Sequence, residues 1–155
     1  MTDPTNPIAT PWNSSPTAKA KNAVQRSVTA LLDELAPERV LKRVVQLPTS
    51  VEQHRTSTGC VLQAATAAVS VSWFAAAAPE SALGELHVVV WRGTVTRRGA
   101  PQSRTGATII SELSLRPIEP PADDCLWQGP DGTQYDTAAL AAKCTALLEE
   151  QIAAS

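Results

Sequence analysis

The stretch 61–74, VLQAATAAVSVSWF, decides the fold class of this chain. From Val69 onward apolar and polar residues alternate, with serines between Val69, Val71 and Trp73. Successive side chains of a β-strand point to opposite faces, so this alternation predicts a strand with one buried and one polar face. Two further stretches have the same β-rich character, and turn residues separate them: 86–96 (LHVVVWRGTVT) and 107–116 (ATIISELSLR). The centre of the chain is therefore predicted to be an antiparallel sheet.

Helical periodicity replaces this alternation at both ends of the chain. Near the N-terminus one helical stripe contains Val24, Val28, Leu31, Leu32 and Leu35. Near the C-terminus a second stripe contains Leu140, Cys144, Leu147, Leu148 and Ile152. Pro16 suits the first position of the N-terminal helix, and Asp136 is typical of a residue that caps the C-terminal one. The sequence thus predicts an amphipathic helix on each side of the sheet.

These patterns together predict an α+β domain with an antiparallel sheet of about four to five strands and both helices packed on one face. Gly129-Pro130-Asp131-Gly132 is a strong turn signal, which predicts a last short hairpin before the final helix. The segment 38–47 fits a short helix or a strand, and we favour the helix. Residues 1–16 contain four of the 12 prolines, so we expect a flexible arm there and a single domain over 17–155.

A strand register can be proposed from the turns. Centring the first hairpin near Ala82 puts Trp73 opposite Trp91, and centring the second near Pro101 puts Val89 opposite Leu113. One face then collects the apolar residues Val69, Val71, Trp73, Val89, Trp91, Val95, Ile109, Leu113 and Leu115. The other face collects Ser70, Ser72, Arg92, Thr94, Thr96, Thr108, Glu112, Ser114 and Arg116. We expect the apolar face to be the core and the polar face to meet water or a partner.

The predicted polar face and its neighbouring loop are the candidate binding surface. Basic residues cluster in the loop of the second hairpin, and the even-numbered side of the sheet also contains apolar residues at Phe74, Leu86, Val88 and Val90. We predict that this surface binds another protein or a second copy of the chain. Its residues are Arg92, Arg97, Arg98, Arg104, Arg116, Phe74 and Val90. Two alternatives need no binding function: the arginine loop is simply solvated, and the apolar residues are buried under a helix.

Two other functions remain open from the sequence. A pocket between the sheet and the helices, lined by Trp73, His87 and Trp91, would serve a ligand-binding or enzymatic α+β cone. The arginine loop could instead contact phosphate or nucleic acid. The net charge of −2 disfavours nucleic acid, and so does a polar face made mainly of Ser, Thr and Arg where an RNA-binding sheet would show aromatic stacking platforms.

Few residues carry recognisable chemistry. The chain has only two histidines, and none of the common nucleotide, hydrolase or zinc motifs occurs. We therefore assign no catalytic residue, cofactor or metal, and favour a non-enzymatic domain. Three widely spaced cysteines indicate a reducing compartment, and we find no secretory signal or membrane span. These observations predict a cytoplasmic protein.

Overall fold

A computed structural model describes residues 16–43, 50–75, 83–95, 107–118 and 124–154. Three helices and seven strands follow one another in these ranges. Two helices come first, α1 (Pro16–Glu34) and α2 (Pro37–Arg43). The strands follow as β1 (Glu52–Arg55), β2 (Gly59–Gln63), β3 (Ala67–Ala75), β4 (Gly84–Arg92), β5 (Thr108–Pro117), β6 (Trp127–Gln128) and β7 (Gln134–Tyr135). The chain closes with α3 (Thr137–Ala154). The α+β class and the helices on both sides of the sheet in the sequence are confirmed, and α2 shows that 37–43 is helical.

The sheet is an antiparallel meander in which each strand pairs with the next along the chain. It has seven strands, so the expectation of four to five is wrong. The stretch 61–74 is divided by a tight turn, in which the amide of Ala64 donates to the carbonyl of Ala67 at 2.8 Å. That turn contains no glycine or proline, so no turn residue in the sequence indicates it. Strand β1 was missed because all four of its residues are polar.

The register between β3 and β4 differs from our prediction. Trp73 lies opposite Leu86 rather than Trp91, and Val69 lies opposite Val90. Because the shift is an odd number of residues, every side chain of β4 changes face. Leu86, Val88 and Val90 are buried in the core, whereas His87, Val89 and Trp91 lie on the other face.

Strand β5 contains an irregularity that changes the face to which its first residues point. Val90 pairs with Ser111, but Trp91 pairs with Ile109, so Ile110 is an extra residue in the ladder. A β-bulge of this kind reverses the alternation beyond it. Leu113 and Leu115 therefore face the core as predicted, while Ile109 lies beside Trp91 on the opposite face. The predicted core position of Ile109 is wrong, and its side chain is 48% exposed.

The core lies between one face of the sheet and the helices. Helix α3 contacts β3 and β4, and α1 contacts β2 and α3. The predicted stripe of α1 is buried along its whole length. At the start of α3 the amide of Ala139 donates to Asp136 Oδ1 at 2.7 Å, which confirms the predicted cap. None of the described helices is long and apolar enough to cross a membrane.

Two tryptophans pack together at the end of the core near β6. The rings of Trp73 and Trp127 meet edge to face, with centroids 5.7 Å apart. The amide of Cys125, just before β6, donates to Ser27 Oγ of α1 at 3.0 Å. These contacts attach the short β6–β7 hairpin to α1 and to the centre of the sheet.

Candidate functional site

The open face is the side of the sheet opposite the helices, and it is the candidate site. Its residues are cross-strand neighbours of Ser70, Ser72 and Trp91, since paired residues share a face. Their side chains are half-buried or exposed, whereas the intervening residues of β3 and β4 are buried. The described residues of this face include His54, Val61, Ser70, Ser72, Phe74, Glu85, His87, Val89, Trp91, Ile109, Glu112, Ser114 and Arg116. Glu52, Gln63 and Ala68 share the face by register, and of these Ala68, opposite Trp91, is buried.

An apolar cluster occupies one end of the open face. We call it the Trp91 patch, and it consists of Val61, Val89, Trp91 and Ile109. Val61 and Val89 both lie opposite Ser70, on its two neighbouring strands. Trp91 Nε1 donates a hydrogen bond to Ser70 Oγ at 3.1 Å. This bond satisfies the polar atom of the indole and fixes its ring on the sheet, so the patch is preorganised.

An ionic group occupies the other end of the open face. We call it the Glu85 cluster, and it consists of Glu85, His87 and Arg116. Glu85 Oε1 lies 2.9 Å from His87 Nε2, and Arg116 donates to Glu85 Oε2 at 3.0 Å. The hydrogen bonds from His87 and then from Arg116 hold the pKa of Glu85 below its usual range. The ring of Phe74 packs against that of His87, with centroids 4.9 Å apart.

Glu112 adds a charge beside the Trp91 patch. It lies opposite Val89 on β5, and its side chain is exposed. No ion-pair partner of Glu112 occurs among the residues that the structure describes. An exposed carboxylate in this position can form an ion pair with a cation.

The predicted pocket residues do not lie together. Trp73 faces the core and packs on Trp127, whereas His87 and Trp91 lie on the open face. These three residues therefore cannot line one pocket between the sheet and the helices, and that prediction is wrong. The inverted register of β4 is the reason, since it moves His87 and Trp91 away from the helices.

The predicted binding residues are divided by the structure. Arg116 and Phe74 lie on the open face, and Phe74 is 55% exposed. Val90 is buried opposite Val69, so its predicted exposure is wrong. Arg92 is exposed, but its register position opposite Ala67 puts it on the helix-covered side. The loop residues Arg97, Arg98 and Arg104 lie outside the described residues.

The predicted site lacked every other member of the Trp91 patch and two acidic residues of this face: Val61, Val89, Ile109, Glu85 and Glu112. Ile109 was assigned to the core because a regular strand puts it on the same side as Leu113, and nothing in the sequence marks the bulge. The pairing of Glu85 with Arg116 depends on a register that the turn composition did not specify. Glu112 is the one of these residues that the sequence could have indicated, because an acidic residue was predicted there on the polar face.

The chemistry available on this face is recognition through apolar contact and charge. His87 lies opposite Ser72 and Ser114, but its Nε2 is already paired with Glu85. The three cysteines are buried in the core, away from this face. In the ranges that the structure covers, no group of three His, Cys, Asp or Glu residues could hold a metal ion.

Comparison with protein-family models, with curated proteins and with solved structures gives no match for this chain.

Proposed function

We propose that this chain is a non-enzymatic protein-binding domain that receives a partner on the open face of its sheet. The observation that carries the proposal is the Trp91 patch, an apolar cluster on the side of the sheet opposite the helices. Such clusters with a polar rim are typical of protein interfaces. Tryptophan and isoleucine supply apolar area there, and the rigid indole loses little entropy on binding.

The charges around the patch define the partner more closely. The Glu85 cluster balances its own charges, so it needs no counter-charge from a partner. Glu112 has no such balance in the described part of the chain. We therefore expect the partner to present an apolar side chain to Trp91 and Ile109, flanked by a lysine or arginine that meets Glu112. In this proposal the domain acts in the cytoplasm, which agrees with its three free thiols.

Site-specific photo-crosslinking tests the proposal. A photoreactive amino acid replaces Ile109, and the matched control places it at Gln25, an exposed residue of α1. A partner that crosslinks only from position 109 is then purified and its affinity measured. We expect Ile109→Asp and Glu112→Lys each to weaken binding by about tenfold or more. Changing the partner's matching cation to Glu should restore binding to Glu112→Lys.

The proposal fails if purified partners bind the Ile109→Asp and Glu112→Lys variants as well as the wild type. Crosslinking from Gln25 alone would also contradict it, because that result would place the binding surface on the helices. Circular dichroism and the urea midpoint of each variant establish that the loss of binding does not come from unfolding.

A further inference from the structure

Two neighbouring rows of cross-strand partners on the open face contain the Trp91 patch. The first row consists of Glu52, Gln63, Ala68, Trp91 and Ile109. The second row consists of His54, Val61, Ser70, Val89 and Glu112. Each row includes one carboxylate, and none of these positions holds a lysine or an arginine. The patch is therefore an apolar surface with an acidic residue on either side, which complements a cation.

The indole of Trp91 lies flat on the sheet. Trp91 belongs to β4, but its Nε1 donates to Ser70 Oγ of β3 at 3.1 Å, so the ring extends from one strand to the next. Ala68, its cross-strand partner on β3, is fully buried although it lies on the open face. The side chains of Trp91 and Gln63 flank Ala68 and account for this burial. One face of the indole is thus against β3, and the other is turned outward, since Trp91 is only half-buried.

Glu112 is the carboxylate that can act together with this ring. It lies opposite Val89, two residues from Trp91 on β4, so Glu112 and Trp91 are diagonal neighbours with only the short valine side chain between them. Diagonal neighbours are about 7–8 Å apart, a separation that long side chains span. Glu52, on the other side, already has a partner, because its Oε1 lies 3.3 Å from His54 Nε2. A cation above the indole can therefore contact the ring and Glu112 at the same time.

We propose that Trp91 and Glu112 form a binding site for an arginine side chain of the partner. The planar guanidinium stacks on the outward face of the indole and donates hydrogen bonds to the Glu112 carboxylate. The methylene stem of the arginine packs on Ile109. This inference rests on the proposed function and deepens it, because it identifies the cation that meets Glu112 and makes Trp91 a cation–π platform.

The shape of the site selects arginine among the possible cations. Quaternary ammonium groups are held in cages of several aromatic rings, whereas Trp91 is the only Trp, Tyr or Phe in these two rows. The ammonium of lysine is compact and strongly hydrated, so it gains less from a flat ring. A guanidinium is planar and weakly hydrated, and it can stack on a ring while its N–H groups point sideways to a carboxylate. One flat ring with one carboxylate at its side fits that geometry.

A small arginine probe tests the site without the partner. Nα-acetyl-arginine amide is titrated at constant ionic strength into the isotope-labelled full chain, and NMR follows the indole N–H of Trp91 and the backbone amides of Val89 and Ile109. These signals should shift with a dissociation constant on the order of 10–100 mM, because a single exposed side chain is bound. Nα-acetyl-citrulline amide has nearly the same shape without the charge and should bind at least about threefold more weakly. Nα-acetyl-lysine amide should also bind more weakly than the arginine probe.

Variants of the chain locate the site. Glu112→Gln should weaken binding of the arginine probe by about threefold or more, because the paired carboxylate is lost. Glu150→Gln is the matched control, since it removes an exposed carboxylate of α3 on the other side of the sheet, and it should leave the dissociation constant unchanged. In Trp91→Leu the amides of Val89 and Ile109 should no longer shift. Glu112→Gln changes an exposed side chain, so it tests the proposal even where Trp91→Leu does not fold.

An unshifted Trp91 signal in the presence of the arginine probe would overturn the inference, and an arginine of this chain that already holds the site would give that result. Equal affinity for the arginine and citrulline probes would overturn it too, as would equal binding by wild type and Glu112→Gln. A partner that depends on Ile109 while the arginine probe does not bind contradicts only this inference. A bound arginine probe with no partner crosslinked from position 109 contradicts only the proposed function.

Discussion

Glu85 accepts hydrogen bonds from both neighbours in the Glu85 cluster, which joins β4 to β5 on the open face. Its partner Arg116 is 31 residues away in the sequence. All three side chains are accessible to solvent, so water screens their attraction and the stabilisation is small. The pairing nevertheless has a measurable signature, because it changes the affinity of Glu85 for protons.

The stability of the protein should depend on the charge of Glu85. Hydrogen bonds from His87 and Arg116 hold the folded-state pKa of Glu85 below its ordinary value of 4.5. The stabilisation is thus fully present above that value and disappears as the pH falls through the folded-state pKa. We expect Glu85→Gln to lower the urea midpoint relative to wild type above about pH 5, and the difference to shrink below about pH 4.

Glu112→Gln is the control for this experiment, since Glu112 lies on the same face with no ion pair in the described ranges. A difference between Glu85→Gln and wild type that stays constant down to about pH 3 would contradict the role assigned to the ionised carboxylate. A difference that grows on acidification would contradict it too, since the sign would be reversed.

At the scale of elements, the side chain of Gln63 at the end of β2 links the β2–β3 turn to the chain that follows β4. Its Nε2 donates to the carbonyls of Ala64 and Gly93 at 2.7 and 3.0 Å. Its Oε1 accepts from the amide of Val95 at 2.9 Å. One side chain of β2 thus binds the chain where it leaves β4, beyond the last paired residue of β3.

Replacing Gln63 by Leu should destabilise the fold by about 1–3 kcal/mol, because it leaves half-buried backbone groups without partners. The free energy of unfolding from urea titration measures this loss. Gln63→Glu should also destabilise the fold, because a carboxylate keeps the acceptor for the Val95 amide but puts an acceptor oxygen against the carbonyls of Ala64 and Gly93. Gln128→Leu, at an exposed position of β6, is the control and should change the free energy by less than about 0.5 kcal/mol. Equal effects at both positions would contradict the role of Gln63.

The faces of β4 show where strand patterns stop being informative. On β3, serines separate the apolar residues, so only one assignment buries Val69, Val71 and Trp73. On β4 both sides are largely apolar, because Leu86 and Val88 alternate with Val89 and Trp91. Either face could have been buried on composition alone. The register with β3 decided it, and the turn residues before β4 contain no motif of defined length.

At the scale of the whole molecule, the three cysteines report on global unfolding. All three are buried in the described core. Burial raises the pKa of the Cys60 and Cys125 thiols to about 11 and that of Cys144 to about 12. A thiol reacts as its thiolate, so these groups should be inert in the folded state at neutral pH.

We expect a thiol reagent to label none of the three cysteines in native protein within minutes, and all three in denaturant. The rate in intermediate urea should follow the population of the unfolded state. Ser114→Cys provides an exposed thiol on the open face and should react at once with one equivalent. A native cysteine that reacts as fast as this control would show that part of the core opens separately from the rest.

The sequence by itself determined the elements whose physics is local. Helical stripes located α1 and α3, the Asp136 cap and the Gly-Pro-Asp-Gly turn placed the last hairpin and helix, and alternation oriented β3. Only the tertiary structure decided the register of β4, the bulge at Ile110 and hence the composition of the open face. Local signals act within one turn of helix or one tight loop, whereas register is chosen by the total burial of all strands and helices packed together. For that reason Trp91 and Ile109, expected in the core, lie on the surface that we propose for binding.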